Sequence, residues 1–333
     1  MSKAPHIPVM LADVLEVLQP KDGGLYIDGT FGAGGYTRAI LGQADCAVLA
    51  IDRDPNAILR GRELQSEFGG RLTLIEGCFG DMARLVRGLG HESVDGVVLD
   101  LGVSSMQLDQ AERGFSFQKD GPLDMRMSGK GLSAADVVNT FDEPDLARII
   151  AVYGEEKRAR AVAKAIVQAR TEAQFDRTLA LADTVARVIG RRPQDRIHPA
   201  TRTFQALRIF VNDELGELAH GLAGAEALLG EGGRLAAVTF HSLEDRVVKR
   251  FLTARTGRSA RANRFMPEKD EVAPSFREIE HKARKASDAE AEANPRARSA
   301  KLRAAEPTSA PAVPLDLAAL GVARMPSHAE MGA

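Results

Sequence analysis

The sequence predicts an α/β protein, a doubly wound parallel sheet interrupted by an all-helical insertion. Three observations predict it. Four apolar runs, each followed by a helical pattern, fall within roughly the first hundred residues, the repeat expected of βαβ units. The first run ends in an acid and then a turn carrying Gly29, Gly32, Gly34 and Gly35. Strand patterning stops between Met106 and about Pro199, then returns with a glycine-rich turn and a fifth apolar run, Leu235–Phe240.

The elements follow in order. Pro8–Leu18 carries Val9, Met10, Val14, Leu15 and Leu18 at helical spacing and is closed by Pro20. Leu25–Ile27 reads as a buried strand that leads through the glycine turn into a helix from Thr37. Ala47–Ile51 is a second strand ending at Asp52, Asn56–Phe68 a helix, and Leu72–Glu76 a third strand before the turn Gly77–Asp81. Val94–Asp100 is the fourth strand. The insertion contributes helical runs at Ser133–Asn139, Glu143–Tyr153, Lys157–Arg170 and Thr178–Ile189. Arg202–Leu229 is expected to be helical with a break near Gly221–Gly224, and His241–Asp245 to open a further helix with Ser242 as its N-cap. The resulting division is a discontinuous core, 1–108 and 200–305, around a helical substrate-recognition insertion, 109–199. The Ala/Pro-rich tail, 306–333, has few large apolar groups and is expected to be disordered.

Length and composition set bounds. With 333 residues the chain holds two or three domain-sized units, and 44% hydrophobic with 27% charged residues is ordinary for a soluble protein. A net charge of -2 excludes a polycation, so any nucleic-acid contact has to come from local patches. Cys46 and Cys78 make neither a disulfide framework nor a metal site. The N-terminus has no apolar signal core and no apolar stretch is long enough to span a bilayer, so a cytoplasmic protein without membrane contact is expected. The oligomeric state is left open, with a homodimer among the options.

Candidate chemistry gathers at the strand ends. Ligands of open α/β sheets sit at the carboxyl ends of the strands, so Asp28–Gly35, Asp52, Phe79–Asp81 and Asp100 are expected to converge. Glycines permit close backbone approach, Asp52 is placed to accept a ribose diol, and Phe79 can offer a flat apolar face to an adenine. The turn lacks the G-x-G-x-x-G register of dinucleotide binders. Asp-Gly-Thr-x-Gly-x-Gly-Gly instead resembles the first motif of S-adenosylmethionine (SAM) dependent methyltransferases, for which carboxylates beside a sulfonium are tolerable. If the methyl acceptor is an exocyclic amine, it needs hydrogen-bond acceptors and an escape for one proton. Asp100 and the backbone of Leu101–Ser104 are candidates, and Asp124 in the following loop is a further one. The sequence after the fourth strand, Asp100-Leu101-Gly102-Val103-Ser104-Ser105, departs from the [Asp/Asn]-Pro-Pro-[Tyr/Phe] motif of amino-methyltransferases.

The loop from Glu112 to Met127 is rich in charge, glycine and aromatics, and Phe115 or Phe117 could stack a splayed base. Arg126 and Arg202 are further candidate RNA contacts. Arg246–Arg264 contains seven basic residues and no acid, which suits a phosphate-tracking surface. Arg255, Arg258 and Arg261 lie at its centre. Open alternatives are a nicotinamide dehydrogenase, a DNA amino-methyltransferase and an RNA-binding assembly factor without activity.

Seven signatures narrow these alternatives: Tyr26–Gly32, Leu99–Ser105, Arg113–Phe117, Asp120–Met127, His198–Gln205, Phe240–Arg246 and Asn294–Ser299. Together they resemble the bacterial small-subunit ribosomal RNA cytosine-N4 methyltransferases, the RsmH or MraW family, over roughly Pro5 to Glu306. The resemblance implies a class I methyltransferase core with an inserted helical domain. It also implies SAM as cofactor and the N4 amino group of a cytidine in the decoding region of 16S ribosomal RNA as acceptor, on the small ribosomal subunit. Carried over by position, it places cofactor contacts at Gly34, Gly35, Tyr36, Asp52, Phe79, Asp100 and Gln107.

Overall fold

The computed structural model describes residues 8–190, 197–257 and 273–326. In chain order the elements begin α1 (Leu11–Leu18), β1 (Leu25–Asp28), α2 (Gly35–Gln43), β2 (Ala47–Asp52), α3 (Pro55–Phe68), β3 (Leu72–Glu76), α4 (Met82–Gly88) and β4 (Val94–Asp100). The helical stretch follows as α5 (Ser105–Asp109), α6 (Ala134–Thr140), α7 (Glu143–Gly154), α8 (Ala159–Ala169), α9 (Thr178–Ile189) and α10 (Thr201–Asn212). Then come α11 (Glu214–Leu228), β5 (Leu229–Thr239), α12 (Ser242–Arg255), β6 (Phe276–Glu278), β7 (Arg284–Lys285), α13 (Asp288–Ala293), β8 (Lys301–Pro307) and α14 (Leu317–Leu320).

Two compact units result. One runs to Gly102 and resumes over Leu215–Val322; Val103–Glu214 belongs to the other. In the first unit the strands form a sheet of order β3-β2-β1-β4-β5-β8-β6, with β7 also on β8. β1 to β5 pair in parallel, whereas β8 runs antiparallel to β5, β6 and β7. Strand order reverses between β1 and β4, the switch point at which open sheets hold ligands. Alternation along the strands fills both faces. Tyr26, Val48, Ala50, Val98 and Val238 share a core with Val14, Leu18, Ile40 and Leu64 of α1, α2 and α3. The intervening residues Ile27, Leu49, Ile51, Val97 and Leu99 are buried as well. Burial on both faces is why these strands read as continuous apolar runs.

The second unit packs its helices around Phe141, Leu146, Ile149, Ile150, Val162, Ile166, Leu181, Val185 and Leu207, all buried. Phe141 meets Phe210 edge to face with centroids 5.4 Å apart. α10 belongs here, since Gln205 Nε2 donates to Tyr153 O at 3.1 Å and a Cβ on Gly154 would meet Arg202 O at 2.6 Å. The return to the sheet therefore falls near Leu215, later than the expected residue 200.

Three further expectations change. The break in the long helical run is at Asp213, left-handed at φ 46°, and the glycines near 221–224 lie inside α11. His241 caps α12 in place of Ser242, its ring accepting from Glu244 N–H while the Glu244 side chain accepts from the His241 N–H. The tail is ordered through residue 322: β8 extends to Pro307, Asp316 caps α14, and Arg250 Nη1 donates to Leu320 O at 3.2 Å. Buried backbone partners order this stretch despite its poor apolar content. Residues 327–333 lie outside the described residues.

Candidate active site at the carboxyl ends of the strands

The strand ends bring three acids to one edge of the first unit. Asp28 pairs in register with Val98 on β4 and Ala50 on β2, Asp52 closes β2, and Asp100 closes β4. Each carboxylate is used differently. Asp28 is fully buried, accepting from Thr37 Oγ1 at 2.7 Å and from Thr30 N–H at 3.2 Å, which fixes the start of α2 on the end of β1. Burial pushes its carboxyl up to about 6, against those hydrogen bonds. Asp52 accepts Gly32 N–H at 2.7 Å through one oxygen and Asp54 N–H at 2.8 Å through the other. Burial raises its carboxyl as well, and each oxygen keeps a lone pair for a hydroxyl.

Asp100 is the exception. Its Oδ1 is buried and has no hydrogen-bond partner among the described residues. Burial first, then the neighbouring charges of Asp28 and Glu244, push its carboxyl well above the ordinary range. Its backbone N–H is anchored, donating to Thr30 Oγ1 at 2.7 Å. A buried polar atom left without a partner is costly, so a cation or donor arriving here is stabilised.

The glycine turn is laced to its neighbours by Gly29 N–H to Val98 O (2.9 Å) and Phe31 N–H to Ile51 O (3.0 Å). Gly34 is left-handed, φ 76°, and a Cβ there would meet Leu64 Cδ2 at 2.7 Å and the Phe31 ring at 2.8 Å. Only glycine fits both the dihedral and the space. Gly35 and Tyr36 open α2, so their N–H groups belong to the first turn, where no intrahelical acceptor exists. The turn after β3 is held at the same edge by Gly77 N–H to Asp52 O (3.0 Å). Phe79 follows, partly exposed, its Cβ 3.3 Å from where a Cβ on Gly29 would stand.

The structure therefore brings together Gly34, Gly35, Asp52, Phe79 and Asp100. It reassigns several other residues. The Tyr36 ring is in the core with its hydroxyl donating to Val9 O, so only its backbone can face a ligand. Gln107 belongs to the second unit, where its amide oxygen accepts Ser104 N–H at 3.1 Å in a capping box. Asp124 is bound by Arg126 through Nε–Oδ1 (3.0 Å) and Nη2–Oδ2 (2.6 Å). Although burial works to raise it, these bonds hold its carboxyl below the usual carboxylate range, which makes it a poor proton acceptor. Arg126 is spent on the same pair and on Gly131 O (3.0 Å).

The remaining expected RNA contacts divide. Phe115 is buried at 6% exposure beneath the Arg113 guanidinium, so it is a core residue and no stacking platform. Phe117 packs on His198 and Phe204 with centroids 4.7 Å away in both cases. Arg255 is buried at 3%, pairs with Glu226 at 2.6 Å, donates to Val313 O at 3.0 Å and lies 3.7 Å from the centre of the Phe251 ring. A guanidinium committed to the interior cannot track phosphates. Arg258 and Arg261 lie outside the described residues. Arg202 stays about half exposed, with Nη1 donating to Glu155 O at 3.3 Å and lying 3.9 Å from Glu156 Oε2.

Sequence reasoning passed over Thr30, Glu217 and Glu244. Glu244 is buried, pairs with His241 Nε2 at 3.0 Å and accepts Phe240 N–H at 2.7 Å. Only its place three residues into the helix after β5, as a capping-box acid, marked it in the sequence.

A 3-2-1-4-5 parallel sheet extended by an antiparallel strand, with a glycine turn and acids at the switch point, defines a class I SAM-dependent methyltransferase. SAM carries an ammonium and a sulfonium, and the Asp100 Oδ1, without a partner among the described residues and beside Asp28 and Glu244, fits such a cation. The chain belongs to the MraW methylase family, whose sequence profile matches residues 3–308. It is 81% identical over 326 residues to the ribosomal RNA small subunit methyltransferase H of Parvibaculum lavamentivorans, covering 98% of this chain and 96% of that one. To the proteins of the same name in Paramagnetospirillum magneticum and Rhodospirillum rubrum it is 60% and 58% identical, over 94% and 92% of this chain and 98% and 96% of theirs. No helix of the described residues is long and apolar enough to cross a membrane.

Proposed function

We propose that this protein methylates the N4 amino group of a cytidine in the decoding region of 16S ribosomal RNA, acting on the small ribosomal subunit in the cytoplasm. The relatives' names support the RNA. The observation that carries the chemistry is the buried Oδ1 of Asp100, which has no hydrogen-bond partner among the described residues.

SAM supplies a methyl group already activated on a sulfonium. The protein's part is to hold and align. Asp52 takes the ribose hydroxyls, Phe79 gives a flat contact to the adenine, and the Gly35 and Tyr36 N–H groups line the turn. An exocyclic amine is a weak nucleophile because its lone pair is delocalised into the ring. A carboxylate accepting one of its N–H protons restores electron density to the nitrogen. Asp100 is that acceptor: the cofactor's positive charge favours its ionised form, and its raised proton affinity suits it to take the proton. With the methyl group passing from bound SAM to the amine nitrogen, Asp100 would take the proton that the amine loses.

The test is methyl transfer from labelled SAM to unmethylated small subunits, naked 16S RNA and duplex DNA, read by nucleoside mass spectrometry. N4-methylated cytidine from subunits, lost in Asp100→Asn with cofactor still bound, is the expected result. Label on another base, on DNA or on protein overturns the acceptor. Full turnover by Asp100→Asn overturns the role of Asp100.

A further inference from the structure

The segment after β3 lies against α11 with no room to spare. A Cβ on Gly221 would stand 2.4 Å from Cδ2 and 2.6 Å from Cε2 of Phe79, and one on Gly224 would stand 2.8 Å from Cγ of Met82. One turn before Gly221, Glu217 Oε2 accepts the Gly80 N–H at 3.1 Å. A Cβ on Gly80 would meet that same oxygen at 2.6 Å, so the carboxylate reaches directly over the loop backbone. Residues 217, 221 and 224 are four and three apart and share one helix face. Glycine inside a helix costs about 1 kcal/mol relative to alanine, so Gly221 and Gly224 within α11 call for a reason, and the flush contact with Phe79 and Met82 supplies one.

We propose that this face of α11 is a positioning element for the cofactor. Gly221 seats the Phe79 ring, Glu217 fixes the Gly80 backbone, and the two together aim the open part of the ring at the adenine of SAM. Neither residue is catalytic; both act through Phe79. The inference rests on the proposed contact between Phe79 and the adenine.

The test measures the Kd for SAM by calorimetry, with melting curves alongside, in Gly221→Ala, Phe79→Ala and the double variant. Gly221→Ala is expected to weaken SAM binding about tenfold in the natural background. With the ring gone the added methyl has space, so in the Phe79→Ala background it should add less than a twofold loss. Equal losses in both backgrounds, or no loss in the natural one, overturn the positioning role. Phe79→Ala with unaltered SAM affinity would instead remove the adenine contact itself, and the seat with it. If Gly221→Ala does not fold, Glu217 decides: Glu217→Ala should weaken SAM binding while Glu217→Gln, which keeps an oxygen for the Gly80 N–H, retains most of the affinity. Equal behaviour of these two overturns the clamp.

Discussion

Asp28→Asn isolates the energetic cost of the acid beneath the cofactor turn. Asp28 is fully buried, and its carboxyl rises from an ordinary 3.8 to about 6, chiefly through burial. A carboxyl raised in the folded state imposes no penalty below the unfolded value and the full penalty above the folded one. Stability is therefore lost as pH climbs through that window. At about 1.4 kcal/mol per pKa unit the loss is about 1 kcal/mol near pH 4.5 and about 3 kcal/mol near pH 7.5. Asparagine keeps an oxygen for Thr37 Oγ1 but turns an amino group toward Thr30 N–H, a cost of about 1–2 kcal/mol that does not depend on pH. The difference in unfolding free energy between natural protein and variant should therefore move by about 2 kcal/mol in the variant's favour between those two pH values. Urea unfolding of both proteins at each pH measures it; loss of the Asp28 charge also relieves part of the rise at Asp100, which moves the difference in the same direction. A difference that stays constant within about half a kcal/mol would refute the argument that burial governs this carboxyl.

Asp52→Ala removes the acceptor for Gly32 and Asp54 N–H and should weaken SAM binding at least about tenfold with a smaller change in turnover, seen by comparing Kd with single-turnover rates. Asp124→Ala, by contrast, should act as a stability variant: it frees a partly buried Arg126 and should cost about 1 kcal/mol in urea unfolding, with SAM affinity unchanged. Arg255→Ala strands the buried Glu226 carboxylate and unties Val313, so it should lower stability by about 3–5 kcal/mol and expose residues 308–322 to protease. Weaker RNA binding by Arg255→Ala with unchanged stability would restore its surface role.

The sheet and its active edge were legible because the signals are local. Val94–Asp100 is an apolar run ended by an acid, paired with a parallel neighbour on each side and buried from Gly96 to Leu99. The glycine turn was equally clear, since a left-handed Gly34 against Phe31 leaves no other residue type. Errors arose where identity does not fix surroundings. Arg255 sits in a run of seven cations without an acid, yet its partner Glu226 comes from another helix, distant in sequence. Asp124 and Arg126 are two residues apart, but a sequence does not say that a loop will fold them onto each other.

The sequence by itself determined the order of the first five strands and the main helices between them, the turn that only glycine can make and the acids at the strand ends. These depend on periodicity, dihedral limits and residue chemistry within a few positions. Tertiary structure alone decided which charges are free to act. Asp100 Oδ1 lacks a partner among the described residues while Asp124 and Arg255 are consumed, because a charged group's role depends on desolvation and on the neighbours that the fold brings to it.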